Sequence, residues 1–200
     1  MNFPDYFTEE LLKKCQIISL KKGDYLFYTN DKVKGFYYVL SGEIKAIRNM
    51  IKGNEVSMMR SQAGDFFGES ALAIKHYICD AICTKQAEVA FISSDNFKTA
   101  MTDNHFSMSF LLAIAKNARR QCSRYERLRL NKAKDRLKHF LICESNPDGL
   151  LIWQSSLLEL ANELAIEPET LYRVIAELEK EGIIQREKKQ IQLLVNEEVV

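Results

Sequence analysis

The sequence is defined first by what it lacks. No apolar run approaches the ~20 residues needed to cross a bilayer, and no basic-then-apolar leader opens the chain. The expectation is a soluble, cytoplasmic protein with no membrane partner. Net charge is almost absent, with 28 lysines and arginines against 27 acids. Overall charge therefore selects no partner, and only its distribution informs. The five cysteines are odd in number and scattered, so they form no disulfide framework. A reducing compartment is the simplest setting. His76, His105 and His139 are spread over different segments with no nucleophile or metal spacing beside them. There is no phosphate loop and no H-E-x-x-H. Nothing in this pattern is a catalytic constellation, and no metal or cofactor is expected.

One further absence marks the stretch that organises the chain. From Asp103 to Leu130 there is no glycine or proline, and the run reads as one long helix that Asp103 or Asn104 can cap. Leu111, Ile114, Ala118, Gln121, Tyr125 and Leu128 alternate at spacings of three and four, the seam of a coiled coil. Such a helix is too long to be hidden by a domain of this size, so the seam calls for a second copy of the chain. Gln121 can fix register there, and Cys122 and Tyr125 lie near the exit toward the C-terminal helices. From Lys116 to Lys138 ten basic residues stand against two acids. That run faces phosphates or acidic protein, or is a solvated helix face.

Before the long helix the chain reads as strands and turns. Residues 4–15 form a short helix with Phe7, Leu11 and Leu12 as its apolar face. Turn signals then recur about every ten residues: Lys22-Gly23-Asp24, Asn30-Asp31, Ser41-Gly42-Glu43, Gly53-Asn54 and Gly64-Asp65. Strand-like runs lie between them at 25–28, 36–40, 44–48 and 55–60. A further strand pair is expected at 80–84 and 88–93, then a short helix at 94–101. This rhythm points to an antiparallel sandwich or barrel.

After the long helix the chain is helical. Ala133, Leu137, Phe140 and Leu141 mark one helix, and Asn146-Pro147-Asp148-Gly149 a turn. Ser156 and Glu159 form a capping box opening a helix through Leu164. Pro168 starts a second helix, as a first helical residue tolerates, and Gly182 ends it. Residues 184–192 form a hairpin with Glu187, Lys188 and Lys189 at its tip. Two helices joined by a tight turn can set the second in a DNA major groove. In that helix Leu171, Ile175 and Leu178 share the buried face, and Glu169, Thr170 and Arg173 the other. Arg pairs bidentately with guanine, Glu accepts from cytosine N4, and Thr meets the thymine methyl. Lys188 and Lys189 are placed for phosphates, with Arg186, Lys132, Lys134 and Lys138 as further candidates. One objection stands: from Glu159 to Glu181 there are seven acids and two bases, whereas phosphate attraction supplies most non-specific DNA affinity.

Together these landmarks resemble the Crp-Fnr family of bacterial transcription regulators over almost the full length. The matching residues are Lys22-Gly23-Asp24, Leu40-Ser41-Gly42-Glu43, Gly53-Asn54-Glu55, Gly64-Asp65-Phe66-Phe67-Gly68-Glu69, Glu88-Val89-Ala90, the long helix, and Glu169-Thr170-Leu171-Tyr172-Arg173. The resemblance implies an α+β architecture. A jelly-roll-like double-stranded β-helix, the effector β-roll, spans 1–102; a dimerisation helix spans 103–130; a winged helix-turn-helix spans 131–200. It implies a homodimer on a two-fold symmetric operator, base reading by Glu169 and Arg173, and RNA polymerase as a partner. The family's Ser-Arg opening of the reading helix is here Glu167-Pro168.

The effector pocket implied by the resemblance would be Gly68, Glu69, Ser70, Tyr77, Cys79 and Asp80. Family members that bind cyclic nucleotides follow Gly-Glu with an arginine that pairs with the cyclic phosphate. Here that slot falls near Tyr77, and no arginine occurs from Ser61 to Ala118. Lys75 or His76 would substitute without the guanidinium fork. The expectation is an unidentified small-molecule effector other than cyclic AMP. Relatives that hold an iron–sulfur cluster use about four thiolates, whereas only Cys15 lies near the N-terminus. A lone His76 argues against haem. Cys79 and Cys83 would lie ~13 Å apart on one strand face and read, with Ala81, as small buried residues. Two alternatives stay open: a thiol-responsive regulator, and an effector-binding or protein-interaction module that has lost DNA binding.

Overall fold

A computed structural model describes residues 3–49, 55–152, 156–188 and 190–194. It divides into two compact units, 1–115 and 116–200. The Gly53-Asn54 turn and Lys189 lie outside the described residues.

The first unit begins with α1 (Glu9–Lys14), capped by the Thr8 hydroxyl, which accepts from the Leu11 amide at 3.3 Å. Six strands follow: β1 (Gln16–Leu20), β2 (Tyr25–Phe27), β3 (Gly35–Asn49), β4 (Glu55–Gln62), β5 (Phe66–Phe67) and β6 (Asp80–Ser93). β3 and β6 pair antiparallel along their length. The turn signal Ser41-Gly42-Glu43 does not reverse the chain: the separate runs expected at 36–40 and 44–48 are one bent strand, and so is the strand pair expected at 80–84 and 88–93. The register shifts between Val39 and Ile44, so a bulge absorbs the extra residues and bends the ladder. β1 and β5 flank the half before the bulge, and β2 and β4 the half after it. Two four-stranded halves therefore share one pair of strands.

Alternation along the strands sorts side chains into two cores. Phe36, Tyr38, Phe66, Ala90 and Ile92 pack with Phe7 and Leu11, and with Ala100 of α2 (Ser94–Ala100). Phe106 and Phe110 of α3 (Asn104–Arg129) join the same cluster. Tyr37, Val39 and Val89 face the other way, with Phe27, Ile44, Phe67, Tyr77 and Cys83. Beside the bulge Glu43 is 1% exposed. Its carboxylate accepts from Thr84 Oγ1 at 2.5 Å, Lys85 Nζ at 3.2 Å and Gln62 Nε2 at 3.3 Å. A buried carboxylate is tolerated only with partners of this kind.

The second unit contains the C-terminal half of α3, then α4 (Ala133–Glu144), β7 (Leu150–Ile152), α5 (Leu157–Leu164), α6 (Pro168–Lys180), β8 (Ile184–Glu187) and β9 (Gln190–Leu193). Asp103 caps α3, its carboxylate accepting from the Phe106 amide at 2.7 Å. The Ser156–Glu159 capping box forms as its sequence implies: the Glu159 amide donates to Ser156 Oγ at 3.2 Å and the Ser156 amide to Glu159 Oε2 at 2.9 Å. Leu160, Leu164, Leu171, Val174, Ile175 and Leu178 bury against Leu137 and Leu141 of α4. The hairpin gains β7 on the far side of β9, a strand the sequence does not announce. Among the described residues no helix is long and apolar enough to cross a membrane.

Gly42 has a positive φ of 78°, and a Cβ there would lie 2.1 Å from the Gln86 carbonyl oxygen. Gly42→Ala is therefore expected to cost at least about 3 kcal/mol, combining backbone strain with a clash against main chain. Urea unfolding checks this through a lowered midpoint.

Candidate DNA-reading head and effector pocket

The reading helix α6 presents Glu169, Tyr172 and Arg173 to solvent, with Thr170 half-buried beside them. Val174 joins Leu171, Ile175 and Leu178 on the buried face. Tyr172, 53% exposed, belongs to the same outer face. Its place between Leu171 and Arg173 was the signal that could have added it to the reading residues. Lys188 sits exposed at the hairpin tip with φ 41°.

The acid excess of this region is largely internal. Lys134 of α4 donates to Glu177 at 2.8 Å and to Glu181 at 2.6 Å, both at the far end of α6. Arg186 of β8 lies 3.8 Å from Glu179, and Arg124 lies 3.5 Å from Glu163. Glu159 is held in its capping box. Five of the seven acids, Glu159, Glu163, Glu177, Glu179 and Glu181, are thus engaged within the unit. Lys134 and Arg186 are correspondingly taken up in these pairs rather than left for phosphates. Lys132 is exposed, and Lys138 is half-buried with an interaction of its own.

Along α3, Leu111, Ala118, Gln121, Tyr125 and Leu128 are exposed, as are Met108, Leu112 and Cys122. Ile114, counted in the seam by its spacing, instead packs against the core that holds Phe106 and Phe110. The reason is angular: Phe106, Phe110 and Ile114 stand four apart on the face already committed to the sheet. The uncovered apolar line runs through Met108, Leu111, Leu112, Ala118, Cys122 and Tyr125.

In the first unit Tyr77 is buried. Its ring stacks on Phe27 with centroids 3.6 Å apart and planes 8° apart. Its hydroxyl donates to the Gly35 carbonyl at 3.1 Å. Burial, then the neighbouring Tyr37 phenol, push the Tyr77 phenol far above its ordinary value. Gly68 lies against this group, since a Cβ there would meet Tyr37, Phe27 and Tyr77 at 3.7–3.9 Å. Glu69 is buried and Ser70 exposed. Asp80 is drawn away to a turn, its Oδ1 accepting from the Thr29 amide at 2.7 Å and hydroxyl at 2.8 Å. Cys79 is half-buried beside the core and Cys83 fully buried; burial raises both thiols. Lys75 and His76 are exposed. The six residues expected to line one pocket have different surroundings, and Tyr77, near which the resemblance puts the arginine, is stacked on Phe27.

Residues 17–104 match the family described as cyclic nucleotide-binding domain. Residues 135–198 match the Crp-like helix-turn-helix domain. The chain is 23% identical over 197 residues to the cAMP-activated global transcriptional regulator CRP of Pasteurella multocida, with 94% of each chain covered. A CooA variant from Carboxydothermus hydrogenoformans superposes with a TM-score of 0.75 at 18% identity, covering 92% of this chain and 86% of that one. FixK2 from Bradyrhizobium japonicum gives 0.71 at 18% identity, covering 90% and 93%. At these identities the structural likeness speaks for the fold.

The Lys134 hydrogen bond, more than its charge, holds the Glu177 carboxyl below its ordinary range. A depressed carboxyl contributes stability that is present above its unfolded pKa and lost as pH falls through the folded value. In Lys134→Ala the Glu177 carboxyl is expected to titrate at a higher pH than in the wild type, read by NMR, and that acid-side loss of stability to shrink.

Proposed function

The chain belongs to the Crp-Fnr family of DNA-binding transcription regulators, and from that premise we propose that it acts as a symmetric dimer mated through α3. The uncovered apolar line on α3 is the observation that carries this reading. A helix fastened to its own sheet by Phe106 and Phe110, yet apolar on the opposite side, is completed by a second copy. Two reading heads would then meet half-sites about 34 Å apart, one helical turn of the duplex. Arg173 pairs with a guanine edge and Glu169 with a cytosine amine, while Lys188 and Lys189 approach phosphates. The internal pairing of five of the seven acids supports DNA binding, because it lowers the charge opposed to phosphate to Glu167 and Glu169 beside Arg173. RNA polymerase is the further partner this reading expects.

The effector is a small molecule other than cyclic AMP. The Pasteurella relative is cAMP-activated by name. Here, by contrast, a buried cyclic phosphate would need a fixed cation. The stacking of Tyr77 on Phe27, near the position where the resemblance expects an arginine, supports this reading. Effector binding would act by shifting the population of reading-head spacings.

On a DNA column the protein is expected to be retained at low salt and to elute with a steep salt dependence. Light scattering should find two chains per duplex, and Arg173→Ala should weaken specific binding by about 1–3 kcal/mol while leaving the salt slope nearly unchanged. Flow-through at low salt would instead favour a module of the same fold without DNA function. Millimolar cyclic AMP is expected to change neither the melting temperature nor the eluting salt; a rise in either refutes the pocket assignment.

A further inference from the structure

Burial pushes the Cys15 thiol up to about 11 and raises Cys79 and Cys83 as well. Cys143 has different surroundings. It lies half-buried in the last turn of α4, with its Sγ 3.6 Å from Nδ1 of His139 one turn back. His139 Nε2 is in turn 3.4 Å from the Glu126 carboxylate of α3. Beside this group stands Arg127, 1% exposed, its guanidinium 4.7 Å above the Phe140 ring. Arg127 reaches Glu144 at 3.5 Å and Glu163 at 3.9 Å. Its Nε and Nη1 have no hydrogen-bond partner among the described residues, and Cys143 is within electrostatic reach of it. A buried cation with unused donors is costly unless something accepts from it. A partly exposed thiol within hydrogen-bond distance of an imidazole has a base at hand to take its proton.

We propose that Cys143 is a peroxide-reactive thiol whose oxidised form is captured by Arg127 and changes the grip of α3 on the reading head. His139 takes the thiol proton, held in place by Glu126. The sulfur attacks one oxygen of hydrogen peroxide, so an S–O bond forms as the O–O bond breaks. The departing hydroxide recovers the proton from His139 and leaves as water. Sulfur gives up two electrons and the peroxide accepts them, yielding a sulfenic acid. Its oxygen accepts from the unused Arg127 donors, drawing the guanidinium from Glu144 and Glu163, which tie α3 to α4 and α5. Two equivalents of a thiol reductant restore the cysteine, with a disulfide of the reductant and water as products.

The labelling half of the test is independent of the DNA-binding reading; the second half rests on it. Full-length protein is treated with hydrogen peroxide in the presence of dimedone, which traps sulfenic acids, and is mapped by mass spectrometry. Cys143 is expected to label about tenfold faster than Cys15, Cys79 or Cys83. His139→Asn should remove most of that advantage, and Glu126→Gln, at an exposed position that cannot unfold the core, should reduce it. Even labelling, labelling confined to the exposed Cys122, or a rate untouched by both variants overturns the proposal. In the second half, peroxide should shift the salt at which wild-type protein leaves a DNA column, but not that of Cys143→Ser. Oxidation of Cys143 without a shift overturns the coupling to the reader. Failure of the reduced protein to bind DNA counts against the DNA-binding reading alone, and the labelling result still decides whether Cys143 is the reactive thiol.

Discussion

The fit of Gly42 against the Gln86 carbonyl is the constraint on which the first unit depends. It lets β3 and β6 bend while staying paired. Because the two strands are not interrupted, the halves on either side of the bend hold their neighbours in fixed register. That register carries Phe36 and Tyr38 to one core and Tyr37 and Val39 to the other. The first core fastens the start of the long helix through Phe106 and Phe110. The second encloses the Phe27–Tyr77 stack. A local backbone requirement therefore helps fix which side chains fill each of the two cores.

In the second unit the governing term is electrostatic. An acidic reader opposes DNA only while its charges face the phosphates. Here Lys134 and Arg186 engage the far end of α6, and Arg124 and Arg127 engage Glu163. The exposed pairs contribute little to stability in solvent, but they offset the acids at the C-terminal end of α6. Arg127 is the exception, being buried. Its guanidinium joins α3 to α4 and α5 through two carboxylates and an aromatic face.

Much of this was legible from local chemistry. The capping box at Ser156, Pro168 at a helix start, the Asp103 cap and the outward set Glu169 and Arg173 depend on residues within a turn or two of each other. So did the strand–turn rhythm and the missing arginine between Ser61 and Ala118. The readings that shifted were those needing distant partners. Ser41-Gly42-Glu43 carries the same signal for a reversal and for a bulge, and only the strand opposite decides between them. Ile114 fits a seam by spacing, but Phe106 and Phe110 had already turned its side of the helix to the sheet.

By itself, then, the sequence determined the helix starts and ends and the outward side of α6, because capping, turn chemistry and apolar period act over a few residues. Tertiary structure alone decided that Tyr77 stacks on Phe27, that Asp80 serves a turn at Thr29, that Lys134 pairs with Glu177 and Glu181, and that Arg127 lies between Glu144 and Glu163. Each joins residues from separate elements, and what brings them together is the burial of the cores, a property of the whole packed chain rather than of any stretch of it.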